Sequence, residues 1–137
     1  MFGVKGSTFW SSNFSLGGYY LLSRYQQGLD GIPFDYTISG IEAAFHMPNG
    51  GGDVFVGFRG GLTKVHSTPA AGVDLIYSPY HYGLVVGYDF TLTGPLTVGF
   101  EGSYLHIEGA ETTVNGTQYT EAKFGLMNFL VTLSLRF

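Results

Sequence analysis

The chain of 137 residues contains no cysteine. That excludes a disulfide framework and all thiolate chemistry. Charge is also scarce. Asp, Glu, Lys and Arg make up 12% of the residues, against a usual share of about 25%. So few charges would coat a water-exposed domain thinly. The formal net charge of -4 leaves nonspecific nucleic-acid binding without electrostatic support. No apolar run of about 20 residues is present, so a spanning helix is excluded, although the mean hydropathy is slightly positive at +0.17. Strong helix formers are few and 22 glycines interrupt nearly every segment. Almost no helix is expected.

What the chain does have is interleaved polarity and many aromatic rings, 12 Phe and 10 Tyr. The last stretch, 124–137, shows the pattern best. Met127, Phe129, Val131, Leu133, Leu135 and Phe137 fall in one phase of a two-residue alternation. Asn128, Leu130, Thr132, Ser134 and Arg136 fall in the other. Side chains alternate faces along a strand, so this strand has one apolar face and one polar face. Its length suits a tilted membrane-crossing strand of roughly 9–11 residues. A large aromatic residue beside the C-terminal carboxylate points the same way. In a transmembrane barrel the apolar face meets lipid and the polar face lines the lumen.

The same alternation recurs along the chain, which reads as one domain, 1–137. Strands are expected at 2–9, 14–26, 35–47 and 54–65, within 74–92, from Leu96 to about Tyr104, and at the C-terminus. Short connections fall at 11–13, 48–53 and Thr93-Gly94, with Pro95 opening the next strand. Longer ones fall at 27–33, 66–72 and 108–118. They alternate strictly, as short periplasmic turns and long extracellular loops do. Seven strands read clearly, but bacterial single-chain barrels have even counts. An eighth arises either by splitting 71–92 at Ser78-Pro79 or from a strand preceding Met1.

The pattern Tyr82-Gly-Leu-Val-Val-Gly-Tyr-Asp-Phe90, a tight turn, Leu96-Thr-Val-Gly-Phe-Glu-Gly-Ser-Tyr104, a polar loop and Leu130-Val-Thr-Leu-Ser-Leu-Arg-Phe137 resembles the small outer-membrane β-barrels, such as the OmpA transmembrane domain, OmpX-like proteins and opacity-type adhesins. The resemblance covers roughly residues 34–137 and rests on pattern alone. It implies an antiparallel up-and-down transmembrane barrel of eight strands. It also implies a place in the outer membrane of a Gram-negative bacterium, in contact with the lipid bilayer and lipopolysaccharide. Phe137 would be the signal read by the barrel-assembly machinery. The residues after Met1 show no charged segment followed by an apolar one, so a mature form or a late-starting frame is implied. A monomer is expected, with no cofactor and no nucleic-acid partner.

The polar phase collects charges. Glu42, Arg59 and Glu101 share it, with Lys5 and Asp89 as companions. If the turn at 48–53 is symmetric, Glu42 faces Arg59 directly. The plain reading is an ion-pair network plugging a narrow lumen, since eight strands enclose little more than side chains. The sharper one is a gated, porin-like channel. Trp10, Tyr88, Phe90, Phe100 and Tyr104 are expected at the bilayer interfaces, with Tyr77, Tyr80, Tyr82 and Tyr119 completing the outer belt. A carbohydrate-binding platform is the alternative for these rings.

The histidines, His46, His66, His81 and His106, form no metal-binding spacing. Three of them, His66, His81 and His106, are expected near the outer rim. Ser103, His106 and Glu108 lie close in sequence, but Ser103 and His106 point to opposite faces, so no catalytic group is expected. The expected role is structural or surface-interacting. A narrow channel, a lipid-modifying barrel enzyme and a soluble lipocalin-like binder are the alternatives.

Overall fold

The computed structural model describes residues 2–25, 34–70, 73–114, 116–121 and 123–136. All its regular structure is strand: β1 (Phe2–Ser11), β2 (Phe14–Tyr25), β3 (Phe34–Asn49), β4 (Gly52–Ala70), β5 (Val73–Tyr77), β6 (Tyr80–Thr93), β7 (Leu96–Ile107), β8 (Ala110–Val114), β9 (Thr117–Glu121) and β10 (Phe124–Arg136). Eight of them form one sheet in the order β3-β2-β1-β10-β7-β6-β4-β5, and β3 also pairs with β4. Each of the seven long strands therefore has a hydrogen-bonded neighbour on both sides, and the pairing returns on itself.

All these neighbours are antiparallel except one. β1 and β10 pair parallel, with Val4 opposite Leu133. This corrects the expectation of a wholly antiparallel sheet; the sheet is mixed. The reason is parity: strands that alternate direction around a circuit of seven must meet once in the same direction. The split at Ser78-Pro79, one of the two expected sources of an eighth strand, gives β5, five residues long, which adds no new position to the circuit. It pairs with β4 at Val65↔Tyr77, in the same register as the β6 pair Leu62↔Tyr80. β5 and β6 are one path along β4, broken at Ser78-Pro79. The amide of Thr63 still donates to the carbonyl of Pro79 at 2.8 Å across that break.

Three tight turns share one end of the sheet. Ser12-Asn13 joins β1 to β2, Gly50-Gly51 joins β3 to β4, and Gly94-Pro95 joins β6 to β7. Pro95 lies in the turn, with β7 starting at Leu96. Gly50 (φ +59°), Gly51 (φ +151°) and Gly94 (φ +52°) occupy backbone regions that only glycine enters freely. At the opposite end the connection expected to be a polar loop after Glu108 contains a hairpin, β8–β9. The loop expected at 27–33 and the terminal Phe137 lie outside the described residues.

The two faces differ sharply. Outward positions carry Ile41, Phe45, Val56, Phe58, Leu84, Val86, Phe100, Met127, Phe129 and Val131, all exposed, Phe129 to 80%. Inward positions carry Glu42, His46, Arg59, Thr63, His81, Asp89, Glu101, Asn128 and Thr132, all buried. Apolar groups share the interior in three clusters. Tyr19, Leu21, Ile38, Leu105 and Leu130 form one, and Ala44, Phe55 and Val85 a second. In the third, Val65, Leu75 and Tyr77 pack with Ala110, Val114 and Tyr119 of the β8–β9 hairpin. Buried Tyr77 is thus absent from any outward aromatic belt.

Candidate functional site: a charged layer inside the sheet

Inward residues along β4 run Phe55, Gly57, Arg59, Gly61, Thr63. Arg59 is fully buried. The symmetric turn between β3 and β4 sets Glu42 opposite Arg59. Arg59 Nε donates to Glu42 Oε2 at 2.6 Å, and Nη2 stands at the same distance from that oxygen. On the other side Nη2 donates to Glu101 Oε2 at 2.9 Å, and Nη1 lies 2.6 Å from Oε1. The guanidinium is thus gripped by carboxylates from β3 and β7, the charge-assisted geometry its planar fork favours. Its Cζ also sits 4.7 Å from the centre of the Tyr19 ring, a cation–π contact.

Lys5 of β1 completes the layer. Its Nζ lies 3.3 Å from Glu101 Oε2, 3.7 Å from Asp89 Oδ2 and 3.9 Å from Glu42 Oε1. It also stands 4.0 Å above the Phe55 ring. Five strands therefore supply two cations and three carboxylates to one enclosed cluster. Each ion faces an opposite charge, which is what makes burial of so many charges tolerable. The arrangement can lock strand register and block passage through the interior. Glycine makes room for it. Gly40 pairs with Gly61, and a Cβ on Gly40 would meet Tyr19 Oη at 2.8 Å.

Beyond the layer, toward the β8–β9 end, Tyr19 Oη is hydrogen-bonded to His81 Nε2. The other ring nitrogen of His81 lies 2.9 Å from Thr63 Oγ1. His81 is buried, second in β6 and in register with Ile107 at the end of β7, so its side chain points inward at the end away from the tight turns. No group of three or more metal-ligating side chains occurs among the described residues. Ser103 is buried and accepts from Asn128 Nδ2 at 3.5 Å. His106 instead packs its ring against Tyr82 at 5.2 Å and lies 3.5 Å from Glu108. Glu108 in turn pairs with Lys123 at 2.6 Å. That contact holds the Glu108 carboxyl below its usual range and raises the Lys123 ammonium.

Comparison with family models, curated proteins and solved structures returned no match.

The exposed aromatic residues expected at the interfaces divide between the two ends. Trp10 is 79% exposed beside the Ser12-Asn13 turn. Tyr88, Phe90 and Phe100 cluster toward the same end, with ring centres 4.5 Å and 6.3 Å apart in sequence. Tyr88 Oη donates to the Asn49 carbonyl at 3.0 Å. Tyr80, Tyr82 and Tyr104 are exposed further toward the hairpin end.

One constellation escaped the sequence reading. Ser15 Oγ lies 2.8 Å from His46 Nε2, and His46 Nδ1 lies 3.6 Å from Asp53 Oδ2. Each residue comes from a different strand. The pairs are diagonal rather than directly opposite: His46 is in register with Phe55, two residues past Asp53. Ser15 is in register with Ala44, two residues before His46. Only a search of diagonal neighbours, with both registers known, would have found them.

Proposed function

We propose that this sheet is a β-barrel that crosses a membrane, with a structural or surface-interacting role and an interior closed to flow. The observation that supports this reading most is the inversion of polarity. A water-soluble barrel buries its apolar residues and exposes its charges. Here Arg59, Glu42 and Glu101 are buried, while Ile41, Phe58, Leu84, Phe100 and Phe129 are exposed. That distribution suits lipid outside and a polar lumen inside. A lipocalin-like binder would need the opposite. Strands such as β7 and β10, of 12 and 13 residues, are long enough to cross a hydrocarbon core at a tilt. A circuit with no open edge is also what a spanning sheet requires, because lipid satisfies no backbone hydrogen bonds.

In this proposal the three tight turns face the periplasm of a bacterial outer membrane, and the β8–β9 hairpin faces outward toward lipopolysaccharide and surface partners. Phe137 serves the barrel-assembly machinery, and the chain acts as a monomer. The charged layer, flanked by Tyr19 and Phe55, closes the lumen. Planar-bilayer recording tests this. A reconstituted chain should give a silent bilayer, and reproducible discrete steps would replace the plugged reading with that of a narrow channel.

A further inference from the structure

We infer that Ser15, His46 and Asp53 form a nucleophilic centre at the tight-turn end of the interior, able to take the acyl group of a small ester. The three side chains stand in the order serine, imidazole, carboxylate, at 2.8 Å and 3.6 Å. An ionised carboxylate only accepts hydrogen bonds. Asp53 beside Nδ1 therefore favours the tautomer with its proton on Nδ1. Nε2, 2.8 Å from Ser15 Oγ, is then the acceptor of the Ser15 hydroxyl proton, which is the requirement for activating a serine. Apo distances at such sites are often long and tighten with substrate in place.

The setting is built rather than incidental. The backbone at His46 is fastened twice to the turn before β2: its amide donates to the Asn13 carbonyl at 2.7 Å, and Asn13 Nδ2 donates to its carbonyl at 2.9 Å. The imidazole is held between the rings of Phe9 and Phe55, with centres 4.8 Å and 5.6 Å away. Ser15 and His46 are both buried. Asp53 sits opposite Asp89 in the β4–β6 ladder. Lys5, 3.7 Å from Asp89, offsets that like-charge pair.

The step balances as acyl transfer to water. Ser15 Oγ bonds to the ester carbonyl carbon while its proton passes to His46 Nε2. The bond from that carbon to the alcohol oxygen breaks, and the proton goes to the departing alcohol. Water then attacks the acyl-serine with Nε2 as base, releasing the carboxylic acid and restoring the serine. Burial of Ser15 and His46 restricts the acyl donor to a small one. Ser15 and His46 are the catalytic residues. Asp53 is a positioning residue acting through His46.

The test is covalent labelling of the folded full chain with a short-chain fluorophosphonate, read by intact mass and peptide mapping. The expected result is one adduct, on Ser15, in the folded protein and none after heat unfolding. Ser103 is the internal control, a buried serine whose hydrogen bond comes from Asn128 rather than a histidine. Ser15→Ala and His46→Gln should each abolish the adduct. Asp53→Asn should lower the maximal labelling rate on the order of 10²-fold or more and leave the half-saturating probe concentration in place, whereas a merely structural role would move both. Because the wild-type chain carries the first readout, a variant that fails to fold does not blunt the test. An unlabelled Ser15, equal labelling of Ser103, or an undiminished rate in His46→Gln would each overturn the inference.

Discussion

Replacing Arg59 with leucine removes the guanidinium held between Glu42 and Glu101. The side chain is fully buried, and four contacts of 2.6–2.9 Å tie it to the two carboxylates. The substitution leaves those carboxylates facing each other across the interior. Lys5 remains, but at 3.3 Å from Glu101 and 3.9 Å from Glu42 one ammonium must then serve them and Asp89. Breaking a buried pair from one side typically costs about 3–5 kcal/mol, and Arg59→Leu is expected in that range. Glu42→Gln should cost less, about 1–3 kcal/mol, because Arg59 keeps Glu101 and only one charged hydrogen-bond partner is weakened. The double variant should fall short of the sum by about 0.5–3 kcal/mol, the range for residues in direct contact. Urea unfolding in detergent or lipid, followed through the single Trp10 and by gel mobility, gives all four corners of the cycle. Strict additivity would mean that the two side chains do not interact and that the β3–β4 register is wrong.

Further outcomes follow from other parts of the sheet. Val4 and Leu133 are parallel-register partners on the exposed face, so Val4→Cys with Leu133→Cys should form an intramolecular disulfide; its absence under mild oxidation would contradict closure through β1 and β10. Gly40→Val should destabilise by about 1–3 kcal/mol through overpacking, because its side chain meets Tyr19 and the backbone of Gly60; an unchanged urea midpoint would refute the tight approach of Gly40 to Tyr19 and Gly60. Glu108 and Lys123 bracket the β8–β9 hairpin and pair at 2.6 Å. The Glu108 carboxyl is lowered by that hydrogen bond, so the pair supports the hairpin above the ordinary carboxylate range and is lost as pH falls through the lowered value. NMR titration should place the Glu108 midpoint below that of an ordinary glutamate, and a midpoint at or above the ordinary value would contradict the contact.

Much of this architecture was legible because a two-residue alternation survives any context that keeps a strand two-faced. Symmetry of the turn at Gly50-Gly51 was enough to set Glu42 against Arg59, since hairpin register follows from the turn. The parallel seam was not legible, because it joins the two ends of the chain and follows from the parity of the whole circuit. The β8–β9 hairpin was hidden because Glu111, Thr112 and Thr113 read as a polar loop. What they obey is a local ladder across Gly116 (φ +81°), packed on Val65, Leu75 and Tyr77. The partner of His81 was hidden for a similar reason. Its partner Tyr19 lies 62 residues away, and nothing local reveals such a contact. Ser15, His46 and Asp53 required two registers at once, one of them across the connection between β2 and β3, whose length fixes no register.

The central claim is that the apolar outer face belongs in lipid, and refolding the same chain with and without vesicles tests it most directly. Far-UV circular dichroism and sedimentation should show a folded monomer only when lipid or detergent is present, with aggregation in plain buffer. A chain that stays folded and monomeric in buffer alone would contradict the account.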